Sequence, residues 1–114
     1  MDTTGIEAAL RRDRAATQAQ YEQLRRDLDD VVAAAADVAT DDEHDPEGAT
    51  IAYERSRTKA LIAQAEAHLA EIESAFDRLA ADSFGTCVRC GRPIGIERLR
   101  ARPVAQTCIA CAAS

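Results

Sequence analysis

Apolar residues recur at sevenfold spacing along two separate tracts of the chain. In the first, Leu10, Thr17, Leu24, Val31 and Val38 form one series, and Arg14, Tyr21, Leu28 and Ala35 form its companion, offset by four. The second tract repeats the arrangement, with Ile51, Thr58, Ala65, Ile72 and Leu79 accompanied by Arg55, Ile62, Leu69 and Phe76. Paired series of this kind lay one narrow apolar seam along each helix, which is the pattern of coiled-coil packing rather than of a helix sunk in a globular core. Each arm of about 35 residues would extend roughly 50 Å at 1.5 Å per residue.

Between the tracts, Thr40 to Gly48 holds five carboxylates, no basic residue and both Pro46 and Gly48. That chemistry predicts a turn. A chain folded back there pairs Leu10 with Leu79, Thr17 with Ile72, Leu24 with Ala65, Val31 with Thr58 and Val38 with Ile51, about a midpoint at His44 and Asp45. The companion series pairs Tyr21 with Leu69, Leu28 with Ile62 and Ala35 with Arg55. A parallel dimer of long helices would use the same periodicities, but it does not accommodate helix breakers at the point of symmetry. The expected fold is therefore mostly α, an antiparallel coiled-coil hairpin over residues 1–83 with an acidic tip near 41–48. Thr17, Thr58, Arg14 and Arg55 weaken the seam, and a hairpin this thin needs further support.

Composition sharpens this picture. The chain has 114 residues, no Trp and only 4% aromatic residues, which suits an elongated helical body better than a thick core. Its net charge of −6 is unevenly distributed: residues 1–83 carry 19 acids and 9 bases, whereas residues 84–114 carry five arginines and one acid, Glu97. Two parts of opposite sign suit two kinds of contact. An acidic body also repels nucleic acid phosphate. No apolar run approaches the roughly 18 residues of a membrane span, and the N-terminus has no basic segment followed by an apolar one, so a cytoplasmic protein without membrane contact is expected.

The candidate chemistry lies in residues 84–114, where Cys87-Val-Arg-Cys90 and Cys108-Ile-Ala-Cys111 are separated by 17 residues. This spacing fits a four-cysteine metal site. Each turn directs two thiolates to one side, and two turns complete a tetrahedron with no position left for water, so the ion is structural. One Zn²⁺ is the expected occupant; a rubredoxin-type iron would use the same sulfurs. Gly91 permits a tight turn beneath the first pair, and Arg89 and Arg92 lie near enough in sequence to offset the charge of the thiolates. Phe84, Ile94 and Ile96 are placed to cover the metal and the open end of the hairpin. The metal would thus supply folding energy that the thin seam lacks.

The residues between the cysteines add a resemblance. Phe84-Gly85-x-Cys87-x-x-Cys90-Gly91, then Ile94-Gly95-Ile96-x-Arg98-Leu99-x-Ala101-Arg102-Pro103 and Cys108-Ile109-x-Cys111, resembles the zinc finger of the DksA/TraR family of bacterial transcription regulators. The resemblance implies a coiled-coil hairpin with a four-cysteine zinc finger. It also implies direct action on RNA polymerase, with the acidic tip entering the secondary channel to alter initiation. The family's tip motif is Asp-x-x-Asp-x-Ala. Counted back without gaps from Cys87, Glu47-x-Ala49 falls on its second half and His44 on its first Asp; a shift of one residue aligns Asp45-Pro46 with the common Asp-Pro but sets Gly48 and Thr50 on the rest. The implied polymerase-contacting residues are Asp42, Asp45, Glu47 and Ala49. Arg55, Arg57 and Lys59 are secondary candidates, with solvated helix charges as the other reading. The chain stops three residues after Cys111, without the C-terminal helix that carries part of the ppGpp site in longer members, which counts against dependence on ppGpp.

Two other functions compete with polymerase binding. The arginines of residues 84–114 suit a DNA-binding finger, although the acidic total and the lack of a base-reading helix disfavour sequence-specific binding. A structural adaptor that dimerises through the hairpin would use the same seam. An enzyme is not expected, since His44 and His68 have no partner nucleophile and all four cysteines serve better as ligands.

Overall fold

The computed structural model describes residues 2–37 and 46–114. They form two long helices, α1 (Thr4–Asp37) and α2 (Pro46–Ala80), followed by two short ones, α3 (Ile96–Ala101) and α4 (Ile109–Ala112). Among the described residues there is no strand, only an isolated antiparallel bridge between Thr86 and Pro93. Among the described residues no helix is long and apolar enough to cross a membrane. The expected hairpin followed by a cysteine module is the fold observed.

The chain divides into two compact units, one combining Met1–Ala16 with His68–Ser114 and the other comprising Thr17–Ala67. In the first, Ile6 and Leu10 of α1, Ile72 and Ala75 of α2, and Phe84, Cys87, Ile94 and Leu99 form a single buried cluster. Ile96, Phe76 and Leu79 pack against it. The open end of the hairpin and the cysteine module therefore share one core, as the placement of Phe84, Ile94 and Ile96 predicts. Ile96 does so from the first position of α3.

Polar contacts brace α1 against α2 in the same unit. Asp13 Oδ2 lies 2.7 Å from His68 Nε2, and Arg14 Nη1 lies 3.1 Å from Glu73 Oε1. The Arg14 guanidinium also sits 4.4 Å above the Phe76 ring. Arg14 is a poor seam residue by hydropathy, yet its guanidinium stacks on an aromatic face and reaches a carboxylate on the other helix. Half-exposed ion pairs of this kind contribute at most about 1 kcal/mol each.

The exit from α2 is a Schellman-type reversal. Ser83 N–H donates to the Arg78 carbonyl at 2.9 Å and Asp82 N–H to the Leu79 carbonyl at 3.3 Å. Asp82 takes the left-handed position at φ 57°, where glycine is usual. Asp82→Gly is therefore expected to stabilise the fold by about 0.5–1 kcal/mol, read as a raised melting temperature with unchanged helicity. A β-branched residue there should lower it.

In the second unit the seam is present but thinner. Thr17, Ile62 and Ala65 are buried, whereas Tyr21, Leu24, Leu28, Val31, Ile51 and Thr58 are only half-buried. Arg55, a seam position by periodicity, is exposed. The helix also begins earlier than the turn chemistry suggests: Pro46, Glu47 and Gly48 form the first turn of α2. Proline suits that place because a first-turn N–H has no intrahelical acceptor, and Glu47 complements the positive end of the helix dipole. The remainder of the predicted turn, including Asp42, His44 and Asp45, and the seam residue Val38 lie outside the described residues.

Candidate metal centre

The first cysteine pair sits in a loop closed by backbone hydrogen bonds. Cys87 N–H donates to the Arg92 carbonyl at 2.8 Å, Gly91 N–H to the Cys87 carbonyl at 2.9 Å, and Ile94 N–H to the Gly85 carbonyl at 2.8 Å. Gly91 adopts φ 75°, the conformation that the sequence requires of it. The second pair brackets the start of α4, where Ala112 N–H donates to the Cys108 carbonyl at 2.9 Å. No left-handed residue is needed there, which is why alanine serves where the first pair has glycine.

The two loops are tied to each other. Val88 N–H donates to the Gln106 carbonyl at 2.9 Å, and the Arg89 side chain donates from Nη1 to the Cys111 carbonyl at 3.0 Å. Arg98 donates from Nε to the Thr107 carbonyl at 2.9 Å, fixing the residue just before Cys108. Arg89 thus bonds backbone at the metal centre as well as bringing positive charge to it. Arg98 has a positioning role that neither spacing nor charge revealed, because its acceptor is a backbone carbonyl nine residues away.

These ties bring the Sγ atoms of Cys87, Cys90, Cys108 and Cys111 within 4.8 Å of one another, with Cys90 and Cys108 Sγ 3.8 Å apart. A ZnS₄ tetrahedron with bonds of about 2.3 Å has S···S edges of about 3.8 Å, so the donor set fits one tetrahedral ion. It is a closed set of four sulfurs, which makes the centre structural rather than catalytic. Cys87 is buried, Cys108 and Cys111 are half-buried, and Cys90 is exposed.

Four thiols this close cannot all ionise without a cation. The backbone N–H of Cys108, followed by those of Cys90 and Arg89, holds the Cys87 thiol down to about 6 despite opposing desolvation. Cys108 is lowered first by the backbone N–H of Cys111. Cys111 is pushed up to about 12, first by its hydrogen bond with Cys108 and then by those with Cys87 and Cys90. A divalent ion replaces the retained protons and removes the conflict.

The other candidate residues lie on α2. Glu47 and Ala49 are exposed in and just beyond its first turn, and Arg55, Arg57 and Lys59 are exposed further along it. Arg55 lines a shallow cleft of about 210 Å³ with Ala35, Gly48, Ile51 and Ala52. Asp42 and Asp45 lie outside the described residues.

Comparison with known proteins identifies the arrangement. Residues 82–114 match the prokaryotic dksA/traR C4-type zinc finger. The chain is 51% identical over 41 residues to the RNA polymerase-binding transcription factor DksA of Haemophilus influenzae, a match covering 36% of this chain and 28% of that protein. It is 42% identical over 57 residues to the protein of the same name from Escherichia coli K12, covering 50% of this chain and 33% of that one. The matched stretches thus span only about a third of these relatives or less. The solved structure of the transcription factor DksA2 from Pseudomonas aeruginosa is similar over much more: TM-score 0.77, 30% identity, 95% of this chain and 78% of that one. With the helical hairpin, the shared core and the sulfur cluster all in place, this chain belongs to the DksA/TraR family and has that family's structural zinc centre.

Proposed function

We propose that the chain regulates transcription by binding RNA polymerase directly and placing the acidic end of its hairpin in the secondary channel to modulate initiation. The observation that carries this reading is the likeness to DksA2 along 95% of the chain, joined to the sequence match with relatives named for binding polymerase. Physical features support it. Helices of 34 and 35 residues are each about 50 Å long, which suits reach along a confined channel. The segment joining them is rich in carboxylates, which are hard ligands suited to a catalytic Mg²⁺ or to the basic groups around it.

In this reading residues 1–83 are the polymerase-entering hairpin, and residues 84–114 are a module in which Cys87, Cys90, Cys108 and Cys111 hold one Zn²⁺. Asp42, Asp45, Glu47 and Ala49 form the acting tip, and Arg55, Arg57 and Lys59 are secondary contacts. The chain acts without catalysis and in the cytoplasm with the polymerase. Sequence-specific DNA reading is disfavoured because α3 and α4, with six and four residues, are too short to serve as recognition helices.

Two measurements test this. Purified chain should form a complex with core polymerase at micromolar concentration in native mass spectrometry, and no complex would refute the reading. Asp45→Ala combined with Glu47→Ala should leave zinc content and helicity unchanged while abolishing the change in transcript yield in vitro. Unaltered regulation would remove the tip from the mechanism.

A further inference from the structure

The two cysteine loops are held in different ways. The first is rooted in the core: Cys87 is 2% exposed and belongs to the same buried cluster as Phe84 and Ile94. Its backbone closes on itself, with Cys87 N–H donating to the Arg92 carbonyl and Ile94 N–H to the Gly85 carbonyl, both at 2.8 Å, beside the Thr86–Pro93 bridge. The second loop has no such root. None of residues 106–114 is buried, and Ile109, the one large aliphatic residue among them, is 67% exposed. Only Cys108 and Cys111 themselves pack against the cluster. α4 has four residues and no side-chain cap, so neither burial nor helix length holds the segment in place.

What holds it, apart from contacts at the sulfurs, is a pair of arginine side chains. Arg98 Nε donates at 2.9 Å to the carbonyl of Thr107, directly before Cys108, and Arg89 Nη1 donates at 3.0 Å to the carbonyl of Cys111. One bond grips each end of the loop, and the donors come from different elements, α3 and the first loop. The main-chain bond from Val88 N–H ends at Gln106, short of the ligands. A closed set of four sulfurs gives up its ion only when a sulfur moves off. Moving Cys87 disrupts the core, whereas moving Cys108 and Cys111 together requires little more than breaking the two arginine bonds.

We propose that Arg98 and Arg89 are positioning residues that fasten the second cysteine loop over the metal and set how long zinc stays bound, with the ion leaving through release of Cys108 and Cys111 while Cys87 is still in place. The part-buried Arg98 bond is the stronger of the two, since water competes less for its acceptor. The effect depends on where the donor atom sits and not on charge alone.

The test uses the full zinc-loaded chain in excess chelator, with zinc release followed over time. Arg98→Ala should release zinc about tenfold faster, as is usual when a group that orients a metal ligand is removed. Arg98→Lys should release it as fast as Arg98→Ala, because a methylene takes the place of Nε. Arg89→Lys should stay close to the unmodified chain, because a terminal ammonium replaces a terminal donor. Arg92→Ala removes an equal charge two residues from Cys90 and should release zinc at the unmodified rate. Hydrogen exchange on the unmodified chain gives a readout independent of variants: on adding chelator, exchange should rise in residues 108–114 before it rises in residues 85–94. Release from Arg98→Ala at the unmodified rate, equal acceleration by Arg92→Ala, or exchange that rises first in the first loop or in both loops together overturns the inference. Each of these outcomes leaves the zinc centre and the polymerase reading intact.

Discussion

Chelating the zinc, or replacing Cys108 with Ser, is expected to unfold residues 84–114 and with them the core at the open end of the hairpin. Structural Zn²⁺ in four-ligand sites contributes an apparent 10–16 kcal/mol or so of binding free energy that is also folding free energy. Here the coupling is direct, because Cys87 is both a sulfur donor and a member of the buried cluster with Leu10, Ile72, Phe84, Ile94 and Leu99. Loss of the ion leaves four crowded thiols and takes Phe84, Ile94 and Leu99 out of that cluster. Hydrogen exchange should rise throughout residues 84–114 and at the adjoining ends of the long helices, and the melting temperature should fall steeply. Equal melting of the zinc-loaded and chelated forms would show that the module folds without metal.

The pH dependence of zinc affinity has a definite sign. The bound form holds four thiolates, whereas the metal-free, unfolded module holds thiols of ordinary acidity, with a pKa of about 8.5. Raising pH therefore favours the bound form, and lowering it releases the ion. Affinity measured by chelator competition should fall continuously from alkaline to acid pH. The decline should be steepest below about 8.5, where all four thiols of the unbound chain are protonated.

Leu10→Ala and Ile72→Ala should each cost about 2–5 kcal/mol, enough to bring a small helical protein close to unfolding. Both side chains are 0% exposed, on α1 and α2 respectively, within the same cluster as the cysteine module. Truncation removes apolar burial and leaves a space bounded by metal-braced backbone that cannot collapse freely to fill it. Val32→Ala, at a position 49% exposed in the thinner unit, provides the contrast and should cost about 0.5 kcal/mol or less. Denaturant unfolding of the three variants separates these cases. Similar losses for all three would mean that stability is spread evenly along the seam.

Much of this architecture is readable from residue order because it depends on repetition. A sevenfold series places Leu10, Thr17, Ile62, Ala65 and Ile72 on inward faces whatever their neighbours, and all five are buried. Two Cys-x-x-Cys turns predict a tetrahedral centre in the same local way. Departures arise where a residue's role depends on a partner remote in sequence. Arg14 weakens the seam by hydropathy but finds Phe76 and Glu73 across the hairpin. His68 has no partner in its own helix but meets Asp13 on the other. Pro46 and Gly48 suggest a turn by composition, yet Pro46 at a first helical position starts α2 rather than interrupting it.

The order of residues alone determined that this chain is a two-helix hairpin with a four-sulfur zinc module, since periodicity and ligand spacing are local properties that survive without knowledge of any distant contact. Only the tertiary structure decided that the module and the open end of the hairpin share one core and that Arg89 and Arg98 pin the second cysteine loop. Those outcomes depend on which surfaces meet when the chain closes, and Phe84, Ile94 and Leu99 meet Leu10 and Ile72 only after the hairpin has brought residues more than sixty positions apart into contact.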